Sequence, residues 1–290
     1  MQQLEFIETT RTDLQKIVNV ATVPQRSPFR YAGGKTWLIP RIRQWLYHSG
    51  GLGKELIEPF AGGGIVSLTA VIENLVDRAT MVEKDEGVAA VWEVILSDGA
   101  AWLADQIVQF QLTPDSAREA IEKAHESLES LAFATIIKNR VNRGEILADG
   151  ASFIKNGENG RGITSRWYPE TLKKRILEID KVKSRIEFIK GDAISILEKN
   201  SSRCDAVYFI DPPYFKAGRR LYRYSTIDHT NLFQVATGLQ SDFLMTYDDS
   251  EDVIKMANDC KLATRSIAMK NTHHAKKSEL LIGKKLDWLP

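Results

Sequence analysis

Lys54–Glu83 reads KELIEPFAGGGIVSLTAVIENLVDRATMVE, and this stretch decides the fold. KELIEPF at 54–60 is a short apolar run of strand character. Glycines 62–64 follow at once, and IVSLTAVIENL then continues as a helix. TMVE at 80–83 is a second short strand, 23 residues beyond Phe60. That distance suits one strand–turn–helix–strand unit of a doubly wound sheet.

The pattern extends outward in both directions. Residues 1–23 carry a loose helical stripe (Leu4, Ile7, Leu14, Ile17, Val18) and read as a helical extension, ended by Pro24 and Pro28. From Gly87 to Asn139 the sequence is helical, with a break and restart at Thr113-Pro114-Asp115. Asn142–Thr164 is glycine-rich and reads as a loop or short hairpin, and helix returns at Pro169–Ile179. Four further strands are expected at IEFIK (186–190), AVYFI (206–210), DFLMTY (242–247) and SELLI (278–282). The expectation is an α/β domain formed by 24–95 and 181–290, interrupted by a mainly helical module at 96–180.

Composition removes several classes. The 290 residues are 43% hydrophobic and 27% charged, which is enough to bury a substantial core and too apolar for a disordered chain. No apolar run approaches the ~18 residues of a membrane span, and Met1–Thr12 lacks the apolar stretch of a secretory signal, so a cytoplasmic setting is expected. Cys204 and Cys260 fit neither a disulfide scaffold nor a zinc site. No metal is expected, and His273-His274 reads as surface or phosphate-neighbouring. The net charge is +1, yet residues 134–190 hold 13 Lys+Arg against 7 Asp+Glu, a local +6 that leaves −5 for the remainder. A basic segment on an acidic body suits one face meeting phosphates, and it also suits a solvated helical surface.

Three segments carry chemistry. Asp211-Pro212-Pro213-Tyr214 follows the strand AVYFI directly, where open α/β sheets bind ligands. The prolines fix the backbone and remove two amide donors, so the Asp211 carboxylate and the carbonyl at the Asp-Pro step form a rigid acceptor pair for an amino group. In isolation the same residues would also make an ordinary turn. Phe60-Ala61-Gly62-Gly63-Gly64 lets backbone approach a ligand, and Glu83, ending the next strand, can accept from ribose hydroxyls. This is neither GxGxxG nor a P-loop. Phe29–Lys35 (FRYAGGK) sets an aromatic, two glycines and a lysine before the first strand, which suits a ligand bearing a carboxylate.

Taken in order, RYAGGK (30–35), EPFAGGG (58–64) and DPPY (211–214) resemble the DNA adenine-N6 methyltransferase family of the Dam type, in its α-group motif order. KNRVNRG (138–144), SRWYPETL (165–172), FLMTYDD (243–249) and KSELLI (277–282) extend the resemblance over about 29–282. It implies a Rossmann-like S-adenosylmethionine-dependent methyltransferase sheet with an inserted target-recognition module, and methyl transfer to adenine N6 in duplex DNA with base flipping. By that resemblance Tyr31, Lys35, Phe60, Gly62, Gly64, Glu83, Asp192 and Asp211 bind the cofactor, although Asp192 could equally cap a helix. Asp211, Pro212, Pro213 and Tyr214 are then catalytic, with Tyr214 stacking on the base.

Lys138, Asn139, Arg140, Arg143, Arg161, Arg166, Arg219 and Arg220 are the candidate DNA contacts, while Trp167 and Tyr168 are expected to pack. A monomer is expected, with a cognate restriction endonuclease as an open partner. The competing readings are methylation of RNA or of a protein amide, and a non-catalytic DNA-binding regulator.

Overall fold

The computed structural model describes residues 20–30, 33–145, 147, 151–214, 227–270 and 276–289. Seven strands form one mixed sheet: β1 Glu55–Glu58, β2 Arg78–Glu83, β3 Ile186–Lys190, β4 Ala206–Ile210, β5 Phe243–Asp248, β6 Ala263–Lys270 and β7 Lys276–Gly283. Their spatial order is β3-β2-β1-β4-β5-β7-β6. The first five are parallel to one another, and β7 runs antiparallel between β5 and β6. The protein is therefore α/β, with a topological switch between β1 and β4, the crevice where such sheets take ligands.

Helices cover both faces, which is why the central strands are apolar without alternation. Leu56, Val207, Phe209 and Leu244 face one layer, built by α1 (Ile39–His48), α2 (Ile65–Ile72) and α3 (Glu86–Leu96). Ile57, Tyr208, Ile210 and Met245 face the other, built by α8 (Ala193–Lys199), α9 (His229–Gly238) and α10 (Glu251–Asp259).

The segment between β2 and β3 contains α4 (Ala100–Gln109), α5 (Pro114–Glu122), α6 (Leu128–Val141) and α7 (Pro169–Asp180). Leu103, Ile107, Ile136, Leu172 and Ile176 bury into the same core as the sheet, so these helices thicken one layer. Only the outer end has its own small cluster, in which Ala117, Ile137 and Val141 meet Phe110, Phe153 and Trp167. Thr113 starts α5 with a capping box, exchanging bonds with Ser116, as the Thr-Pro-Asp break implied. The glycine-rich stretch keeps one antiparallel bridge, Asn142 to Phe153.

The expected strands are present with ends shifted by one or two residues. The sequence reading missed β6. Of its residues with described burial only Ile267 is buried, and the strand is held by eight rungs to β7. An edge strand carried by backbone pairing leaves little apolar pattern to read. Of the N-terminal extension, residues 1–19 lie outside the described residues, and Val20–Thr22 forms a single 3₁₀ turn. His273 and His274 also lie outside them. Cys204 and Cys260 are unpaired. Among the described residues, no single helix is long and apolar enough to cross a membrane.

Candidate active site

The glycine turn after β1 is fixed from three sides. Ala61 N–H donates to the Val82 carbonyl at 2.9 Å, Gly62 N–H to Glu83 Oε2 at 3.0 Å, and Trp92 Nε1 to the Gly62 carbonyl at 2.9 Å. Gly64 leads into α2 with φ +62°, and a Cβ there would stand 3.0 Å from the side chains of Met81 and Trp92. That turn needs glycine on both counts.

Glu83 caps the neighbouring strand. Its Oε1 accepts from Lys84 N–H (2.7 Å) and Asp85 N–H (2.8 Å), while Oε2 takes only the Gly62 amide and keeps capacity for another donor. Burial pushes its carboxyl up to about 7, with the Asp85 charge adding and the three backbone bonds opposing. Asp192 caps α8, accepting from Ile194 and Ser195 N–H through Oδ1, and its Oδ2 pairs with Lys84 at 3.2 Å. The helix cap is its visible role. Phe60 is half-buried against the second core.

Across the switch, Asp211 and Tyr214 leave the end of β4. Lys35, in the 3₁₀ turn Lys35–Leu38 ahead of α1, lies 2.8 Å from Asp211 Oδ1, 3.1 Å from Glu279 Oε1 and 3.1 Å from the Tyr214 hydroxyl. The Tyr214 hydroxyl donates to Glu279 Oε1 at 2.6 Å, and Thr246 Oγ1 donates to Asp211 Oδ1 at 2.7 Å. Lys35 is 3% exposed. Burial alone would lower its pKa, but Asp211 and Glu279 outweigh that and hold it well above the ordinary lysine range. Burial raises the Tyr214 phenol well above its usual value. Lys35 therefore grips the Asp211 carboxylate of its own chain, where the sequence suggested it would grip a ligand's carboxylate.

Glu58 ends β1 behind this cluster. Its Oε2 accepts from the Ser67 amide (2.9 Å) and hydroxyl, and burial raises its carboxyl to about 8. Sequence reasoning passed over Glu58, Thr246 and Glu279. Glu58 stood inside EPFAGGG and Glu279 inside KSELLI as unassigned acids. A charged residue inside a strand core was the signal available for both.

The candidate DNA contacts separate into groups, and two of them require correction. Asn139 is fully buried and clamps the backbone of Arg30, accepting from its N–H (2.9 Å) and donating to its carbonyl (2.8 Å). Arg140 is also buried and donates to the Pro28 carbonyl. Both side chains hold the segment leading into Tyr31, so neither reaches a surface where DNA could lie. Arg143 is exposed just past the end of α6. Lys138 and Arg166 are half-buried. Arg161 stacks over Tyr168 (5.8 Å) and donates to its hydroxyl (3.0 Å). Tyr168 is therefore largely exposed, whereas Trp167 packs edge-on against Phe110. Tyr31, Arg219 and Arg220 lie outside the described residues. Among those residues no cluster could hold a metal ion.

Residues 31–76 match the model of the D12 class N6 adenine-specific DNA methyltransferase family. The matched stretch contains the lysine of the buried cluster and the whole glycine turn. It supports methyltransferase activity, and with the fold it implies use of S-adenosylmethionine. No curated protein sequence matches the chain. Solved structures similar to it include an rRNA methyltransferase from Streptomyces viridochromogenes (13% identity, 96% of this chain and 94% of that one, TM-score 0.39). Another is an rRNA methylase from Streptococcus thermophilus (8% identity, 86% and 97%, TM-score 0.36). A third is a precorrin-6y C5,15-methyltransferase from Geobacter metallireducens (11% identity, 88% and 92%, TM-score 0.35).

Proposed function

We propose that this methyltransferase transfers the methyl group of S-adenosylmethionine to N6 of an adenine flipped out of duplex DNA. The observation that carries the reading is the Asp211 carboxylate, held at the β1/β4 switch across from the glycine turn. The residues present fit the cofactor. Gly62 (φ +46°) places no side chain at the turn, Phe60 offers an apolar wall, and Glu83 retains acceptor capacity for a sugar hydroxyl. When bound, the cofactor supplies a methyl group activated on a sulfonium.

The chain's own part is alignment. An exocyclic aromatic amine is a poor nucleophile because its lone pair is delocalised into the ring. Asp211 and the carbonyl at the Asp-Pro step accept its two N–H bonds, which favours a pyramidal nitrogen with a directed lone pair. Among the described residues both bonds to Asp211 fall on Oδ1, and the side chain keeps 21% of its surface open. A carboxylate so placed also receives the proton that the methylated nitrogen must lose. The atom being methylated is inaccessible inside a duplex, so the base must be extruded at a cost of a few kcal/mol.

The test offers labelled cofactor with duplex DNA, structured RNA and protein. Label at adenine N6 of DNA is the expected result, and label on RNA alone would falsify the DNA reading. Asp211→Ala should lose at least ~100-fold in transfer while DNA binding is largely retained. A wild-type protein that binds DNA and methylates nothing would instead be a regulator.

A further inference from the structure

We infer that Glu279 is a positioning residue for methyl transfer: it shares Lys35 with Asp211 and so leaves the catalytic loop's acceptor its negative charge unneutralised. This deepens the reading above and rests on it. The carboxylate comes from β7, the antiparallel strand, at the rung opposite Asp248 of β5. It is 2% exposed, so its charge is uncompensated by water. Two donors, the Lys35 ammonium and the Tyr214 hydroxyl, converge on the single oxygen Oε1. Burial pushes the Glu279 carboxyl up, while the Lys35 ammonium and the Tyr214 hydroxyl on Oε1 favour its charged form.

The charge count gives the consequence. Lys35 with Asp211 alone is a neutral pair, and a carboxylate neutralised by an ammonium at 2.8 Å is a weak acceptor for an amine. Lys35 between two carboxylates leaves the group one negative charge in excess. That excess lies beside Asp211, whose side chain keeps 21% of its surface open. Among the described residues, the titratable groups facing Asp211 are Lys35 from the turn before α1, Glu58 from β1, Tyr214 from its own loop, Tyr247 from β5 and Glu279 from β7. Of these, only Glu279 both contacts Lys35 and fixes Tyr214. In the transfer step the nitrogen lone pair forms the new N–C bond, the methyl–sulfur bond breaks with its electrons to sulfur, and the surplus N–H proton passes to Asp211. By taking a share of Lys35, Glu279 leaves Asp211 the net charge to accept it.

The experiment is single-turnover methyl transfer to duplex DNA across pH, with wild type, Glu279→Gln, Glu279→Asp and Tyr214→Phe. Glu279→Gln should lose about 10–100-fold in rate at unchanged cofactor and DNA affinity, and the acid limb of its pH profile should move to lower pH. Glu279→Asp, which keeps the charge, should restore the limb to the wild-type position. Tyr214→Phe should move the limb the opposite way, because an Oε1 freed of the hydroxyl draws Lys35 from Asp211. That variant decides the matter if Glu279→Gln does not fold. A rate within about twofold of wild type overturns the inference, as does a rate loss with an unmoved limb. Wild-type protein that methylates no DNA removes both the inference and the functional reading beneath it.

Discussion

At Glu58, burial has a direct consequence for stability. Its carboxyl is 3% exposed and titrates at about 8, against 4.5 ordinarily. Both of its bonds to Ser67 land on Oε2, which is how the carbonyl oxygen of a protonated acid would be used. Between pH 4.5 and 8 the folded chain holds a proton that the unfolded chain has released, so stability falls as pH rises through that window. The shift corresponds to a loss of order 5 kcal/mol at most. Glu58→Gln should therefore match wild type in thermal unfolding near pH 5 and melt higher at pH 9. A melting-temperature difference that stays constant from pH 5 to pH 9 would mean that Glu58 is not the group responsible. The residue scale is also where the sequence was hardest to read. RYAGGK and DPPY announced Lys35, Asp211 and Tyr214, but Lys35 bonds across 179 positions to Tyr214, and Tyr214 across 65 to Glu279. No local pattern carries such pairings. Asn139 and Arg140 were misplaced for a related reason, since polar residues on a basic helix look solvated until a carbonyl is brought to them.

At the scale of elements, the glycine turn was the most legible part of the chain, because its backbone requirement is written in residue type. Gly64 combines a left-handed φ with side chains 3.0 Å from where a Cβ would stand, while Gly53 (φ +81°) has nothing within 4 Å of that point. Gly53→Ala should cost only the conformational term, about 1 kcal/mol. Gly64→Ala should cost roughly 2–3 kcal/mol, because Trp92 must shift and with it the bond that fixes the Gly62 carbonyl. Urea unfolding of both variants measures this, and cofactor affinity should fall only for Gly64→Ala. Equal midpoints would refute the packing argument. The strands were legible wherever burial on both faces made them continuously apolar, as in AVYFI and FLMTYD. β6 escaped because its ladder to β7 depends on backbone groups common to every residue.

On the scale of the whole molecule, the excess of positive charge in residues 134–190 is divided by the fold. Arg140 is spent inside, while Arg143 stands exposed past the end of α6, four residues beyond Asn139, whose amide clamps the backbone of Arg30. On the proposed DNA reading, Arg143 is an exposed cation at this end of α6. Arg143→Glu should then weaken DNA binding and reduce the slope of log affinity against log salt by about 1, as for the loss of one phosphate contact. Cofactor affinity and thermal stability should hold, because nothing in the core depends on that side chain. Arg140→Glu should behave oppositely. It buries a carboxylate where a guanidinium met the Pro28 carbonyl, so unfolding should come at lower urea, and any loss of DNA binding should follow that instability. Fluorescence anisotropy at two or more salt concentrations distinguishes the two. An Arg143→Glu variant with wild-type affinity and slope would take the end of α6 out of the DNA path and leave Arg161 and Arg166 to carry the contact.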